Sequence, residues 1–159
     1  MDKIVKILAE NARISDREIA TMLDMTEDQV HEEIARLESM GIIRGYKAIL
    51  NWDKIEDDYV TALIEIKVRP QRNYGFEETA KRITSFDEVE SVYLMSGAYD
   101  LAVMVKCATL KQVAFFVSHR LSPLDDVLST ATHFVLRRYK DVGVPIDYDE
   151  ADDRGTVSL

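Results

Sequence analysis

Two helix-opening signals eleven residues apart constrain the start of this chain more than any other feature: Ser15-Asp16-Arg17-Glu18 and Thr26-Glu27-Asp28-Gln29. Each reads Ser/Thr-x-x-Glu/Gln, the capping box, in which the hydroxyl accepts from a free N–H of the first turn and the longer side chain reaches back. Starts this close leave room for one short helix, a tight turn and a second helix. That is the spacing of a helix-turn-helix, whose second helix can enter a DNA major groove.

The flanking periodicity agrees. Ile4, Ile7 and Leu8 recur at i, i+3 and i+4, which predicts a first amphipathic helix over about residues 2–11. Ser15 opens the second helix with Ile19, Met22 and Leu23 inward and Ala20 at a close approach; Asp24 and Met25 make the turn. Thr26 opens the third, with Val30, Ile34 and Leu37 inward, and Gly41 stands where a left-handed stop is wanted. Residues 42–50 read as a short hairpin, a wing.

Residues 51–58 are polar and read as a linker, after which the composition changes. Residues 59–68 predict a strand that Pro70 ends, and Phe76, Ala80 and Ile83 a helix over 74–85. Residues 89–95 and 101–107 predict two strands joined by Ser96-Gly97-Ala98-Tyr99-Asp100. Leu110, Val113, Ala114, Val117 and Leu121 mark another helix, and 127–139 a long last strand. The order βαββαβ is the split, ferredoxin-like arrangement, an antiparallel sheet with two helices on one face. The other face is expected to pack on a partner chain. The fold class is therefore α+β: a winged helix-turn-helix over 1–45, wing end and linker over 46–58, a ferredoxin-like domain over 59–140 and an acidic tail over 141–159. Few apolar residues follow Gly143, so disorder or a loosely attached strand is expected there.

Charge cuts against easy nucleic-acid binding. The net charge is −9; residues 1–45 contribute −4, residues 46–140 contribute 0, and residues 141–159 contribute −5. Affinity for DNA rests largely on neutralising phosphates, and the N-terminal segment is itself acidic. Cys107 is the only cysteine, which excludes an intramolecular disulfide and a Cys-based zinc site. It ends a strand and is expected to be buried and inert. No apolar run approaches the ~20 residues of a membrane span. Residues 1–6 carry no apolar stretch of the secretory kind, and a cytoplasmic protein is expected.

The winged helix-turn-helix followed by βαββαβ with a Gly-x-x-Asp corner resembles the leucine-responsive regulatory protein/AsnC family over about residues 1–140. The strongest match is Val92-Tyr93-Leu94-Met95-Ser96-Gly97-Ala98-Tyr99-Asp100-Leu101, similar to the family's stretch between the second and third strands of its amino-acid-metabolism domain. The segment Leu37-Glu38-x-x-Gly41-Ile42-Ile43-x-Gly45-Tyr46 is similar to its passage from recognition helix into wing. The resemblance implies a transcription regulator that binds double-stranded DNA and dimerises through the sheet domain. It also implies further assembly, often into octameric rings, and a small-molecule effector, typically an amino acid, bound between dimers.

On that reading the helix opened by Thr26 reads DNA. Its solvent face offers Glu27, Asp28, Gln29, His31, Glu32, Glu33 and Arg36. Gln29 suits adenine, and Arg36 suits guanine or a phosphate. Arg13, Arg17, Arg44 and Lys47 are candidates for the DNA backbone. Family recognition helices usually carry Arg where this chain has Glu33. Binding is therefore expected to be weak and salt-sensitive, and to depend on several linked heads, which raise effective affinity by ~10²–10⁴. The blander account is that Glu27 and Asp28 serve the helix dipole and that Glu32 and Glu33 form a solvated face.

The expected effector residues are Ser96, Gly97, Tyr99, Asp100, Thr130 and Thr132. Gly97 offers positive φ and close approach, Asp100 can accept from an α-ammonium group, and Ser96 with free N–H groups can hold a carboxylate. The resemblance implies an effector near this corner and the last strand, at the dimer–dimer contact, and Thr130 and Thr132 share one face of that strand. The plainer alternative is that Gly97 and Asp100 only build a tight turn.

Two other functions stay open on the sequence. Siroheme decarboxylases resemble this family and work through histidine and arginine; His31, His119 and His133 are the only histidines here, none paired at metal-ligand spacing. A metabolite-sensing assembly module with a protein-contacting acidic head is the third reading. No phosphate loop, nucleophile elbow or clustered acid/base carboxylates is found. The expectation is no enzyme, no cofactor and no metal. Met22, Met25, Met40, Met95 and Met104 read as core filler, and Trp52 and Tyr59 as packing the linker to a partner subunit.

Overall fold

The computed structural model describes residues 3–55, 59–70 and 75–146. The chain divides into two compact units, Met1–Leu50 and Asn51–Leu159.

The first unit is three helices: α1 (Lys3–Glu10), α2 (Asp16–Leu23) and α3 (Glu27–Ser39). Both capping boxes form. The Glu18 N–H donates to Ser15 Oγ at 3.3 Å while the Ser15 N–H donates to Glu18 Oε2 at 2.9 Å. At α3 the Gln29 N–H donates to Thr26 Oγ1 at 3.2 Å and the Thr26 N–H to Gln29 Oε1 at 2.9 Å. Asp24 makes the turn in the left-handed region, φ 54° and ψ 48°, a conformation that a short polar side chain tolerates. Gly41, φ 68°, closes α3. The Ile42 N–H reaches the Leu37 carbonyl at 3.0 Å and the Gly41 N–H that of Glu38 at 2.9 Å, the paired bonds of a Schellman stop. Ile4, Ile19, Ala20, Val30 and Leu37 are buried between the helices.

Met22 is not inward; it is 62% exposed. At 100° per residue the stripe of Ile19, Ala20 and Leu23 leaves Met22 beyond its edge. Met40 and Met95, at element ends, are likewise exposed, whereas Met25 and Met104 are partly covered. The expected hairpin is absent too: residues 44–50 carry no strand. Two strands of so few residues bury too little to hold themselves together. Instead Ile43 packs on the core and Tyr46 Oη donates to Glu38 Oε1 at 2.9 Å.

The second unit has the expected βαββαβ order: β1 (Val60–Val68), α4 (Glu77–Thr84), β2 (Val89–Leu94), β3 (Leu101–Cys107), α5 (Leu110–Phe116) and β4 (Val127–Phe134), with a π-helical turn at Val117–Leu121 extending α5. The antiparallel sheet has the order β2-β3-β1-β4. Period-two alternation sends Ala62, Ile64, Ile66 and Val68 of β1, and Leu101, Val103, Val105 and Cys107 of β3, into one core with Ile83, Val113, Phe116 and Leu121. The opposite face carries Leu63, Glu65, Lys67, Met104 and His133, half-buried or exposed.

The last strand ends at Phe134 rather than Tyr139. Its partner dictates this: Phe134 pairs with Ala62, the Val135 N–H takes the Thr61 carbonyl, and β1 begins at Val60. Beyond, a small hairpin pairs β5 (Lys140–Asp141) with β6 (Val144–Pro145). Ile146 is buried, and its N–H donates to the Tyr139 carbonyl at 3.1 Å. Of the expected acidic tail, residues 147–159 lie outside the described residues. Among the described residues no helix is long and apolar enough to cross a membrane.

Candidate nucleic-acid interface and effector corner

The face of α3 emerges as expected. Thr26, Asp28, Gln29, His31, Glu32 and Arg36 are exposed, as are Arg13, Arg17, Arg44 and Lys47. Several of these groups are already engaged within the unit. Thr26 and Gln29 close the cap, so a bidentate pairing of Gln29 with adenine must share the carbonyl oxygen that accepts from Thr26. Arg36 lies against Glu33 in a fork: Nε donates to Oε2 at 2.7 Å and Nη2 to Oε1 at 2.5 Å, with Nη1 2.9 Å from Met40 Sδ. Glu33 is therefore not merely part of a solvated face; it neutralises the one arginine of the helix. The i, i+3 spacing of Glu33 and Arg36 carried that signal. His31 Nδ1 sits 3.1 Å from Asp16 Oδ2 and ties α3 to α2. At the helix starts, the Ser15 hydroxyl and then its N–H hold the Glu18 carboxyl below its ordinary value.

The effector corner is more committed than its sequence suggests. Asp100 Oδ2 accepts from the Val68 N–H at 2.8 Å; the Asp100 N–H donates to the Ile66 carbonyl at 3.0 Å, and the Asp100 carbonyl accepts from Met95 at 2.8 Å. The side chain thus ties the β2–β3 turn to the end of β1. Gly97 is not at positive φ, and a Cβ there would meet nothing within 4 Å. The close approach expected of it is not made within the chain. Register places Thr130 opposite Ile66 and Thr132 opposite Ile64. Asp100 and Thr130 therefore flank the same β1 residue, while Thr132 lies two residues further along. Ser96 and Gly97 are exposed, and Tyr99, Asp100, Thr130 and Thr132 half-buried.

Two surface cavities lie elsewhere. One, of about 700 Å³, opens beside Glu88, Cys107, Gln112 and Phe115; the other, of about 740 Å³, lies between α4 and β2 beside Lys81, Thr84, Val92 and Leu94. Neither is lined by the six expected effector residues. In the first, Glu88 Oε2 is buried without a hydrogen-bond partner. Burial, and then the Glu88 charge, push the Cys107 thiol above its ordinary value, as suits an inert, buried cysteine.

Sequence reasoning missed one cluster. Trp52, in a 3-10 turn over Trp52–Lys54, meets Tyr59 edge to face, with ring centroids 5.0 Å apart. The Lys106 ammonium lies over both rings, at 3.6 Å and 3.8 Å from their centroids. Within the chain the two aromatics, expected to pack the linker to a partner subunit, meet a lysine of their own sheet. Alternation along β3 could have pointed Lys106 to that face, but nothing local joins it to Trp52. The histidines stand apart: His31 with Asp16, His119 stacked on Phe115 at 4.0 Å, and His133 near Glu65 at 3.4 Å. Among the described residues no group of three or more His, Cys, Asp or Glu could hold a metal ion.

Comparison with known proteins follows the same division. The Lrp/AsnC ligand binding domain model matches residues 61–145, and a winged helix-turn-helix DNA-binding model matches residues 3–44. The chain is 45% identical over 157 residues to the HTH-type transcriptional regulator YugG of Bacillus subtilis (strain 168), covering 98% of this chain and 95% of that protein. It is 31% identical over 139 residues to the HTH-type transcriptional regulator Ptr1 of Methanocaldococcus jannaschii, covering 87% and 91%. Among solved structures, the transcriptional regulator NMB0573 of Neisseria meningitidis in complex with L-Met shares the fold, with a TM-score of 0.69 and 23% identity over 89% of this chain and 93% of that one.

Proposed function

The chain belongs to the Lrp/AsnC family of transcription regulators, and on that premise we propose how its two halves divide the work. It is a DNA-binding regulator and not an enzyme, which removes the decarboxylase alternative. The first unit reads DNA by laying α3 in the major groove. Asp28, Gln29, His31, Glu32 and Arg36 face the bases from it, Thr26 stands at its N-terminus, and Arg13, Arg17, Arg44 and Lys47 take phosphates. The observation that carries this assignment is the pair of closed capping boxes, which start α2 and α3 at helix-turn-helix spacing and leave the outer face of α3 exposed.

The second unit dimerises through the sheet face that carries Leu63, Met104 and His133, and dimers join further. A small molecule, in the class of the amino acids, binds where copies meet at Ser96–Asp100 with Thr130 and Thr132. Support for the shared site comes from Gly97, which is exposed and has nothing within 4 Å of where a Cβ would stand, room that a neighbouring copy and a ligand can fill. Effector binding then biases how heads are spaced, and DNA must bias effector affinity by the same factor.

The test is fluorescence anisotropy of labelled genomic fragments against the intact chain, with and without each amino acid. Affinity is expected to fall about a hundredfold between 50 and 200 mM salt if about four phosphates are neutralised. No affinity for any fragment at low salt, with or without amino acids, would reject the assignment.

A further inference from the structure

We propose that Lys106 is a positioning residue for DNA binding: held by the rings of Trp52 and Tyr59, it fixes the stretch of chain that tethers the reading unit to the sheet. The clamp is built at a rigid place. Lys106 pairs with Thr61 in the β1–β3 ladder, and its N–H donates to the Glu88 carbonyl at 2.9 Å, so the lysine stem rises from a strand held on both sides. Trp52 lies two residues past Leu50, where the first unit ends, and Tyr59 immediately precedes β1. One ammonium therefore holds both ends of residues 52–59 to one strand. Neither ring belongs to the buried core of the sheet, so the hydrophobic packing of this unit does not account for them. Aromatic faces hold an ammonium through their quadrupole, and a neutral side chain of the same length would not be held in that way.

Position matters because paired reading helices must meet half-sites about 34 Å apart, on one side of the duplex. With the clamp closed, the tether begins at Asn51. With it open, the next hold of the chain on the sheet is Val60, eight residues beyond Trp52, and a flexible chain of that length spans roughly 15 Å. A head on the longer tether would still fit a half-site singly, and the pair would lose its preference for one phase.

This inference rests on the DNA-reading function proposed above, and the experiment separates the two. Wild type, Lys106→Arg and Lys106→Gln are compared on three duplexes cut from a bound fragment: one half-site, two half-sites in natural phase, and two shifted by half a helical turn. Emission of Trp52, the single tryptophan, reports the clamp. Wild type and K106R are expected to prefer the natural phase about tenfold. K106Q is expected to fall to twofold or less, with red-shifted emission but unchanged single half-site affinity and melting. K106Q with wild-type phase preference, or with wild-type emission, overturns the inference and leaves DNA reading standing. Wild type binding none of the duplexes overturns both.

Discussion

Asp100 decides between two meanings of one residue type. Read in the sequence, it is either an acceptor for a ligand ammonium or a turn-former. Its carboxylate is bonded to the Val68 N–H, so it has a structural task whether or not a ligand binds. Asp100→Ala leaves that half-buried donor unanswered and is expected to cost about 1–3 kcal/mol, read by urea unfolding. Asp100→Asn, which keeps an acceptor oxygen, should cost less. A purely ligand-facing aspartate would leave unfolding unchanged in both. Tyr46 supplies a pH test. Burial first, then its hydrogen bond to Glu38, raises its phenol above the ordinary tyrosine value. The folded state therefore favours the neutral ring, and that contribution is whole below about pH 10 and lost as pH rises further. Tyr46→Phe should unfold with a shallower alkaline loss of stability than wild type. At this scale the sequence was legible where chemistry is local, as at Ser15 and Thr26. It misled at Gly97, because glycine permits a left-handed backbone without requiring one. The fork of Glu33 and Arg36 was visible as a spacing, yet its consequence, an arginine already neutralised, needed coordinates.

Elements were read well where their period is their own and poorly where another strand decides. The helices α2 and α3 begin where their boxes begin, since capping needs only four consecutive residues. Ser15→Ala or Thr26→Ala is expected to cost about 1 kcal/mol each, measured as a lower denaturation midpoint at an unchanged slope. Gln29→Ala should retain part of the α3 cap, because the threonine hydroxyl still accepts. β4 shows the opposite case. Val135, Leu136 and Tyr139 keep the stretch β-prone, but the strand that pairs with β4 begins at Val60, so the ladder stops. The wing fails for a related reason: a two-stranded ribbon this short has nothing of its own to bury. Met22 illustrates the limit of periodicity in a helix of eight residues. So few turns define the inward stripe only after the neighbouring helices have chosen it.

At the scale of the molecule, charge and tethering set the terms. The acidic balance of residues 1–45 makes a single reading unit a poor ligand for a polyanion, and on the proposed reading several linked units would give the interaction its reach. The two units also differ in how much they bury. Among the described residues thirteen form the buried core of the sheet unit, against five in the helical one, and small cores are marginal. Differential scanning calorimetry of the intact chain is expected to record two endotherms, the smaller at lower temperature, and Phe116→Ala should move only the larger. If so, a modest rise in temperature would melt the helical half while the sheet half stayed whole. The protein would then carry a built-in thermal fuse, set by the small cluster of side chains that α1, α2 and α3 bury among themselves.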